Sequence, residues 1–384
     1  MKYFIYTVIF FSFFDLFTQL PVMSTFAKSV GASSFITGLA VGMYSFSNTF
    51  GNVISGFWTD RKGPSILLPL GLVSTGLSLL SYGVVNDALS LLIIRFVHGL
   101  VAGLIVPAAF TYHSTIMVKE ERGKSSALSG AFVGIAAITG PAFSGILASR
   151  TSVPFVFSIS GICMLLIGVI AIFVLRRISI KRKITNSYKE KDSIKVRYLF
   201  RNPGVIKAFW GAFFLMFAQG VIAYLLPLQT VVLGYDSKVS GTLLSTFGVV
   251  AVLVFILPTN RIFDKVAPIY TLSLGIALMG SSLLLLSVST VIVVLYLAMA
   301  SYGIGFGLLF PSINALLIDS TDEKVRGKAY GYFYAFFSLG VVVGSSVLGL
   351  LQLSISQGFL FTGVILLLFS LVVLINKRSQ QFST

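Results

Sequence analysis

Residues 154–175 read PFVFSISGICMLLIGVIAIFVL, a stretch of 22 residues without a charged side chain. An α-helix needs about 20 mostly apolar residues to cross the hydrocarbon core of a membrane, so this stretch predicts a spanning helix. A membrane β-barrel would instead show short segments in which apolar and polar residues alternate. Cys163 within the stretch is the single cysteine of the chain, which excludes a disulfide within it.

Similar apolar runs fill the rest of the 384-residue chain. Hydrophobic residues make up 56% of it and charged residues only 10%, against roughly 25% charged residues in an ordinary soluble domain. So few charges would not cover a soluble surface, and lipid is the expected solvent for most of it. The runs predict twelve membrane-spanning helices, at residues 3–23, 35–57, 65–85, 89–113, 125–148, 154–175, 205–226, 240–258, 268–287, 290–318, 328–351 and 358–375.

The 28 basic residues outnumber the 12 acidic ones, but they cluster in short loops between the apolar runs, which argues against a nucleic-acid-binding surface. With the N-terminus in the cytoplasm, the outer loops hold only Lys28, Arg150 and Lys238. Because positively charged loops stay on the cytoplasmic side, both termini are expected there, which requires an even number of spans. The longest hydrophilic stretch, from Arg176 to Lys207, is strongly basic and divides the chain near its middle.

The two halves of the chain align at a fixed offset of 204 residues. The matched residues are Asp60 with Asp264, Gly99 with Gly303, Gly103 with Gly307, Pro107 with Pro311, Arg122-Gly123-Lys124 with Arg326-Gly327-Lys328, Gly140 with Gly344, and Gly145 with Gly349. We therefore predict two six-helix bundles, at residues 1–175 and 205–376, with a basic cytoplasmic linker at 176–204 and a cytoplasmic tail at 377–384. Parallel repeats of this kind place substrate between the halves, near the bilayer midplane.

The loop after the second predicted span reads GFWTDRKGP, from Gly56 to Pro64. It resembles the G-x-x-x-D-R-x-G-R/K signature of the major facilitator superfamily, although Pro64 replaces the last basic residue. The run from Arg95 to Gly103 is similar to the family's arginine-and-glycine motif in the fourth span. The resemblance covers nearly the whole chain. It implies the two-bundle fold of a secondary transporter that alternates access between the two sides of the membrane.

The fifth predicted span carries a further motif, formed by Gly134, Gly140, Pro141 and Gly145. It resembles the glycine-proline motif of the family's 12-span drug–proton antiporters, and the resemblance implies export of small molecules coupled to protons. Small residues also let helices approach closely. Plain packing and a flexing or leak-sealing role are therefore both open for this motif.

Asp15 is the one acidic residue well inside a predicted span, about 18 Å along the helix from Tyr3. An ionised carboxylate there costs roughly 2.5–3.5 kcal/mol or more, so it must face a watery cavity or take up a proton. Burial disfavours the charged form of a carboxyl group and a nearby cation favours it, so a site that alternates between these environments loads and releases protons.

Arg95 is the one basic residue well inside a predicted span, and the resemblance places its helix beside the same cavity as that of Asp15. We expect it to modulate how readily Asp15 takes up a proton. His98 lies one turn from Arg95 and can join a proton relay. These three residues form the predicted proton-coupling site, and a static structural pair without a proton role is the alternative.

The signature loop predicts a cytoplasmic gate. In the resembled family its aspartate meets the start of the eleventh span when the inner side is closed, and unpaired N–H groups at a helix start stabilise a carboxylate. We expect the same of Asp60, and a residue that only caps its local backbone is the alternative. The predicted gate comprises Gly56, Asp60, Arg61, Gly63, Arg122, Asp264, Lys265 and Arg326.

Polar side chains inside spans are expected to face protein or a cavity rather than lipid. The candidates for contact with cargo are Gln19, Tyr44, Asn48, Gln219, Tyr224, Tyr302 and Asn314. For each of them, a hydrogen bond between helices is the alternative. Phenylalanines around Asp15 favour a lipophilic or cationic cargo, through apolar contact and cation–π attraction.

The sequence predicts no enzyme, no cofactor and no metal site. It lacks a phosphate-binding glycine loop followed by Lys and Ser or Thr, so a gradient is expected to drive transport. The expected partners are a small-molecule substrate, protons and membrane lipid, without nucleic acid, and the protein is expected to be a monomer in the cell (inner or plasma) membrane. Export of one specific metabolite such as a siderophore or sugar, uptake by proton symport, and a lipid flippase or nontransporting sensor stay open as alternatives.

Overall fold

The computed structural model describes residues 2–116, 122–175, 196–257 and 266–381, and within these ranges the chain is helical without a strand. The α-helices there are α1 (Lys2–Thr18), α2 (Met23–Ser29), α3 (Ser34–Lys62), α4 (Pro64–Leu80), α5 (Ala88–Ala102), α6 (Ile105–Ile116), α7 (Arg122–Arg150), α8 (Val153–Val174), α9 (Pro203–Val232), α10 (Ser237–Ile256), α11 (Pro268–Val288), α12 (Ile292–Asp319), α13 (Glu323–Leu351) and α14 (Ile355–Gln381). A short 3-10 helix, Ser81–Val84, extends α4, and another, Val196–Arg201, precedes α9. The all-α membrane fold predicted from the sequence is confirmed.

Ten helical spans in the described ranges are long and apolar enough to cross a membrane, and one of them, Ala88–His113, comprises α5 and α6. An eleventh consists of α1 and α2, which are bent by 50° at the break between Thr18 and Met23. The remaining predicted span corresponds to α3, which is 29 residues long but more polar than the others. The total of twelve therefore stays a prediction.

The polar residues of α3 make contacts between helices. Asn48 donates from Nδ2 to the carbonyl oxygen of Gly99 in α5 at 3.2 Å. Thr49 donates to the hydroxyl of Ser338 in α13 at 2.7 Å. Polar side chains hydrogen-bond across helices in this way inside membranes. The low hydropathy of α3 thus follows from its position between other helices rather than against lipid alone.

The helices pack in two groups. In the first, α3 packs on α5, α4 on α8, and α1 on α7. In the second, α13 packs on α9, while α11 packs on both α12 and α14. We call these groups the N-terminal bundle (α1–α8) and the C-terminal bundle (α9–α14). They meet along two seams, α3 against α13 and α7 against α10.

The internal repeat is also visible in the packing of the two seams. A Cβ atom added to Gly145 of α7 would collide with the carbonyl oxygen of Ser237, the first residue of α10. A Cβ atom added to its repeat partner Gly349 would collide with the carbonyl oxygen of Ser34, the first residue of α3. The two glycines thus permit the same close backbone approach in the two seams.

The cleft between the bundles is open at one end. We call the end at which α1 begins and α14 ends the near end, and the opposite end the far end. At the far end the bundles touch, and Tyr224 donates across them to the carbonyl oxygen of Ser34 at 3.2 Å. At the near end, a Cβ atom added to Gly56, Gly130 or Gly331 would meet nothing within 4 Å. In the part of the chain that the structure describes, the bundles are therefore joined at the far end and apart at the near end.

Candidate functional site

Asp15 lies in the last turn of α1, inside a buried polar cluster. Its Oδ2 atom is 3.1 Å from Nε2 of His98 in α5 and accepts a hydrogen bond from the Tyr44 hydroxyl in α3 at 3.4 Å. Its Oδ1 atom accepts from Nε2 of Gln19 at 3.1 Å. Among the described residues, His98 is the ion-pair partner of this carboxylate. The structure thus brings together two residues of the predicted proton-coupling site.

Arg95, the third residue of that predicted site, contacts the backbone of α3 rather than Asp15. Its Nε atom donates to the carbonyl oxygen of Ala40 at 2.7 Å, and Nη2 donates to that of Val41 at 3.1 Å. Its Nη1 atom donates to Oε1 of Gln19. Because the amide nitrogen of Gln19 donates to Asp15, this glutamine stands between the two buried charges.

The amide of Gln19 has a single orientation that suits both neighbours. A guanidinium group carries only donors, whereas an ionised carboxylate carries only acceptors. The amide oxygen must therefore face Arg95, and the amide nitrogen must face Asp15. The cation acts on the carboxylate through one neutral group instead of a direct ion pair.

His98 connects Asp15 to Tyr82, a residue that the sequence analysis missed. The Nδ1 atom of the imidazole lies 3.2 Å from the Tyr82 hydroxyl, while Nε2 faces Asp15. A neutral imidazole carries its proton on either nitrogen, and a hydroxyl both donates and accepts. The imidazole of His98 can therefore carry its proton on Nδ1, towards Tyr82, or on Nε2, towards Asp15.

The cluster is almost fully shielded from solvent. Its six side chains, Asp15, Gln19, Tyr44, Tyr82, Arg95 and His98, are each at most 5% exposed. Burial of an isolated charge costs several kcal/mol, so the cluster depends on mutual compensation of its charges. The carboxylate and the guanidinium cancel each other. One added proton, on Asp15 or on His98, leaves the cluster with a net positive charge.

The predicted gate lies at the near end and is described in part. Gly63 ends α3 with a φ of 84°, which glycine adopts without strain, and Pro64 begins α4, where a missing N–H group costs nothing. Gly56 faces open space. The side chains of Asp60, Arg61, Arg122 and Arg326 lie outside the described residues, as do Asp264 and Lys265 altogether. The gate therefore stays a prediction.

The fifth-span motif lies on α7 and makes close helix contacts. A Cβ atom added to Gly140 would come within 2.9 Å of the Cβ atom of Phe17 in α1. Gly134, Gly145 and the carbonyl group of Pro141 face α10 in the other bundle. These contacts agree with the packing role of the motif, and a flexing or leak-sealing role stays a prediction.

The residues predicted to contact cargo have protein partners in this structure. This holds for Gln19, Tyr44, Asn48, Gln219, Tyr224, Tyr302 and Asn314. Tyr302 donates to Oε1 of Gln219 at 3.4 Å within the C-terminal bundle. Asn314 donates to the carbonyl oxygen of Phe310 in its own helix at 2.9 Å. Contact with cargo stays a prediction for all seven.

Long apolar helices in two bundles, a cleft open at one end and a charged cluster buried in one bundle define a polytopic membrane transporter. The sequence model described as Major Facilitator Superfamily matches residues 5–256 and 208–381, and the chain belongs to that family. The family resemblance of its motifs is thereby confirmed, and the chain is a transporter rather than an enzyme.

The chain is similar over most of its length to bacterial transporters. It is 27% identical over 374 residues to multidrug resistance protein 2 of Bacillus subtilis, with 94% of this chain and 90% of the relative covered. It is 28% identical over 350 residues to multidrug resistance protein MdtG of Escherichia fergusonii, with 87% and 81% covered. A solved bacterial homolog of the human lysosomal transporter Spinster, in an inward-facing and occupied conformation, shares the fold with a TM-score of 0.79 at 13% identity, over 98% of this chain and 96% of that chain.

Proposed function

We propose that this transporter exports small lipophilic or cationic molecules in exchange for protons. The observation that carries the proposal is the buried contact between Asp15 and His98, two groups that both bind protons, at 3.1 Å. The names of the relatives, which describe multidrug resistance proteins, support small molecules as cargo. The protein needs no further partner for this activity than its cargo, protons and lipid, and it works as a monomer in the cell membrane.

The near end is the cytoplasmic end in this proposal. The loops that connect the helices there carry most of the 28 basic residues, and such loops stay in the cytoplasm. Both termini are then cytoplasmic. The described structure corresponds to the state in which cargo enters the cleft from the cytoplasm, and a rocking motion of the bundles exposes it to the other side.

Exchange follows from competition for one negative charge. With Asp15 ionised, the carboxylate and Arg95 cancel, so the cluster does not repel a cationic cargo. When a proton binds at Oδ2 of Asp15 or at the imidazole of His98, the cluster becomes positive and repels a cationic cargo. Proton uptake from outside thus favours release of cargo there, and loss of the proton to the cytoplasm restores the neutral cluster.

The side chains beside Asp15 suit an apolar cargo. The ring of Phe14 stacks on that of Phe10 with centroids 5.4 Å apart, and it lies 5.2 Å from the ring of Phe143 in α7. Aromatic faces attract organic cations and bury apolar area at the same time. A lipophilic cation therefore matches this part of the N-terminal bundle better than a sugar does.

Uptake into proteoliposomes tests the proposal. Vesicles with an acidic lumen should accumulate rhodamine 6G or tetraphenylphosphonium as protons leave. The variant Asp15→Asn keeps the size of the side chain but cannot be ionised, so we expect at least a tenfold loss of gradient-driven uptake, and the melting temperature shows whether the variant is folded. The matched control is Asp87→Asn, because Asp87 is an exposed acid at the start of α5 and asparagine also caps helices. Equal gradient-driven uptake by Asp15→Asn and the native protein would reject proton coupling through this residue.

A further inference from the structure

The internal repeat extends into the buried cluster, where it pairs charged residues with neutral ones. The offset of 204 residues places Gln219 of α9 at the position of Asp15, and Tyr302 of α12 at the position of His98. The structure preserves their contact, since the Tyr302 hydroxyl donates to Oε1 of Gln219 at 3.4 Å. The C-terminal bundle thus holds an uncharged copy of the proton-binding pair.

The surroundings of this copy exclude an ion. The same offset replaces Arg95 with Met299 and Gln19 with Ala223, both of which are buried. Neither of these two side chains could compensate a charge at Gln219, and an uncompensated charge at this depth is costly. Both members of the pair are neutral at physiological pH. This site can contribute hydrogen bonds to transport, but it cannot contribute a proton-binding charge.

The free donors of the pair lie on Gln219. Its amide oxygen is engaged by Tyr302, so its amide nitrogen carries two N–H groups, and no described residue accepts a hydrogen bond from them. Gln219 retains 9% exposure, whereas Tyr302 retains none. The helix α9 also borders the other bundle, since it packs against α2 and α3. The amide nitrogen is therefore the polar atom of this pair that is available to a molecule in the cleft.

We propose that Gln219 is a specificity-determining residue that donates a hydrogen bond to an acceptor oxygen of the cargo, and that Tyr302 is a positioning residue that fixes the amide. Proton exchange then takes place in the N-terminal bundle, and uncharged side chains of the C-terminal bundle recognise the cargo. The preferred cargo carries an ester, ether or carbonyl oxygen, which accepts the hydrogen bond from the amide nitrogen. This inference rests on the proposed function in so far as cargo must occupy the cleft.

Two probes of similar charge and apolar character separate this role from simple packing. Rhodamine 6G carries ester and ring oxygens that accept hydrogen bonds, whereas tetraphenylphosphonium carries no acceptor. Binding to the full-length protein in nanodiscs is measured for both. We expect Gln219→Leu to weaken rhodamine 6G binding by about 3- to 10-fold, the range for one neutral hydrogen bond, and to change tetraphenylphosphonium binding less than twofold.

Tyr302→Phe tests the positioning role. It should weaken rhodamine 6G binding by a smaller factor, and it should have no additional effect in the Gln219→Leu background, because there is then no amide to hold. Gln229→Leu is the matched control, since Gln229 lies on the same helix but donates to the carbonyl oxygen of Leu286. It should leave the ratio of the two affinities unchanged. Melting temperatures show whether each variant is folded.

The outcomes distinguish this inference from the proposed function. An equal loss of affinity for both probes in Gln219→Leu, or an additive effect of Tyr302→Phe, would overturn the role of Gln219. Binding by the native protein and Asp15-dependent uptake would in that case still support the proposed function. Failure of the native protein to bind either probe would overturn the proposed cargo class and this inference with it.

Discussion

At the scale of single residues, Gln19 determines how the two buried charges act on each other. A carboxylate in direct contact with arginine forms strong charge-assisted hydrogen bonds, which hold it in the ionised form. Here the amide of Gln19 lies between Asp15 and Arg95. The oxygen Oδ2 of Asp15 therefore stays available to a proton beside His98. This arrangement suits a group that must gain and lose a proton better than a static ion pair does.

We predict that Gln19→Met destabilises the protein and slows proton-driven transport. Methionine has a similar volume but removes one acceptor from Arg95 and one donor from Asp15. Hydrogen bonds to charged groups contribute about 1.5–3 kcal/mol each, so the melting temperature in detergent should fall clearly. Gln357→Met, at an exposed glutamine in the first turn of α14, should have little effect. A Gln19→Met protein with native stability and native uptake would show that the glutamine does not mediate between the charges.

Part of the cluster was predictable from the sequence because a charge inside an apolar run stands out. Asp15 and Arg95 were found in this way, and His98 by its spacing from Arg95. The carbonyl oxygens of Ala40 and Val41 gave no signal, since every residue carries one and only the tertiary structure aims it. Tyr82 was equally hidden, because tyrosine is common near the ends of membrane spans.

At the scale of elements, the apolar runs predicted where helices lie but not how they break. The first span is bent between α1 and α2, near Pro21, which lacks the N–H group that a continuous helix needs. The fourth span is interrupted at Gly103 and Leu104, between α5 and α6. Such breaks keep the hydropathy of the run unchanged. Hydropathy therefore predicts a continuous span in both places.

The seam between α3 and α13 predicts how the far end can be forced open. A Cβ atom at Gly38 would collide with the carbonyl oxygen of Ser345, and backbone cannot move aside as a flexible side chain can. We therefore expect Gly38→Leu to favour the state in which the far end is open. Gly83→Leu is the matched control, because Gly83 lies at the same end with nothing within 4 Å of an added Cβ atom.

Spin labels on the two bundles measure this change. The pair Thr151→Cys and Lys238→Cys, in a Cys163→Ser background, places one label on an exposed far-end position of each bundle. The distance between the labels should shift to longer values in Gly38→Leu and stay native in Gly83→Leu. A native distance distribution in folded Gly38→Leu would contradict the assignment of this seam as the far-end closure.

At the scale of the whole molecule, the repeat makes the two bundles alike in packing and different in charge. Gly145 and Gly349 permit equivalent backbone contacts in the two seams, whereas Asp15 has the neutral partner Gln219. The sequence predicted the repeat, since glycine tolerates no replacement where backbones touch. It did not predict which end of the cleft is open, because both states use the same residues. That choice depends on small free-energy differences between the closures of the two ends.

The near-end closure is the last step of this cycle, and Asp60 is the residue that we expect to stabilise it. When the near end closes, its carboxylate should meet the start of α13, where free N–H groups favour a negative charge by about 0.3–2 kcal/mol. Asp60→Ala should therefore lower the population of the near-end-closed state by about 2- to 30-fold, which the same far-end spin labels report as fewer long distances. Asp319→Ala is the control, at an exposed acid of the same end. Because net transport needs both states, uptake should fall in Asp60→Ala although cargo still binds, and an unchanged label distribution with native uptake would leave Asp60 with no more than a local capping role.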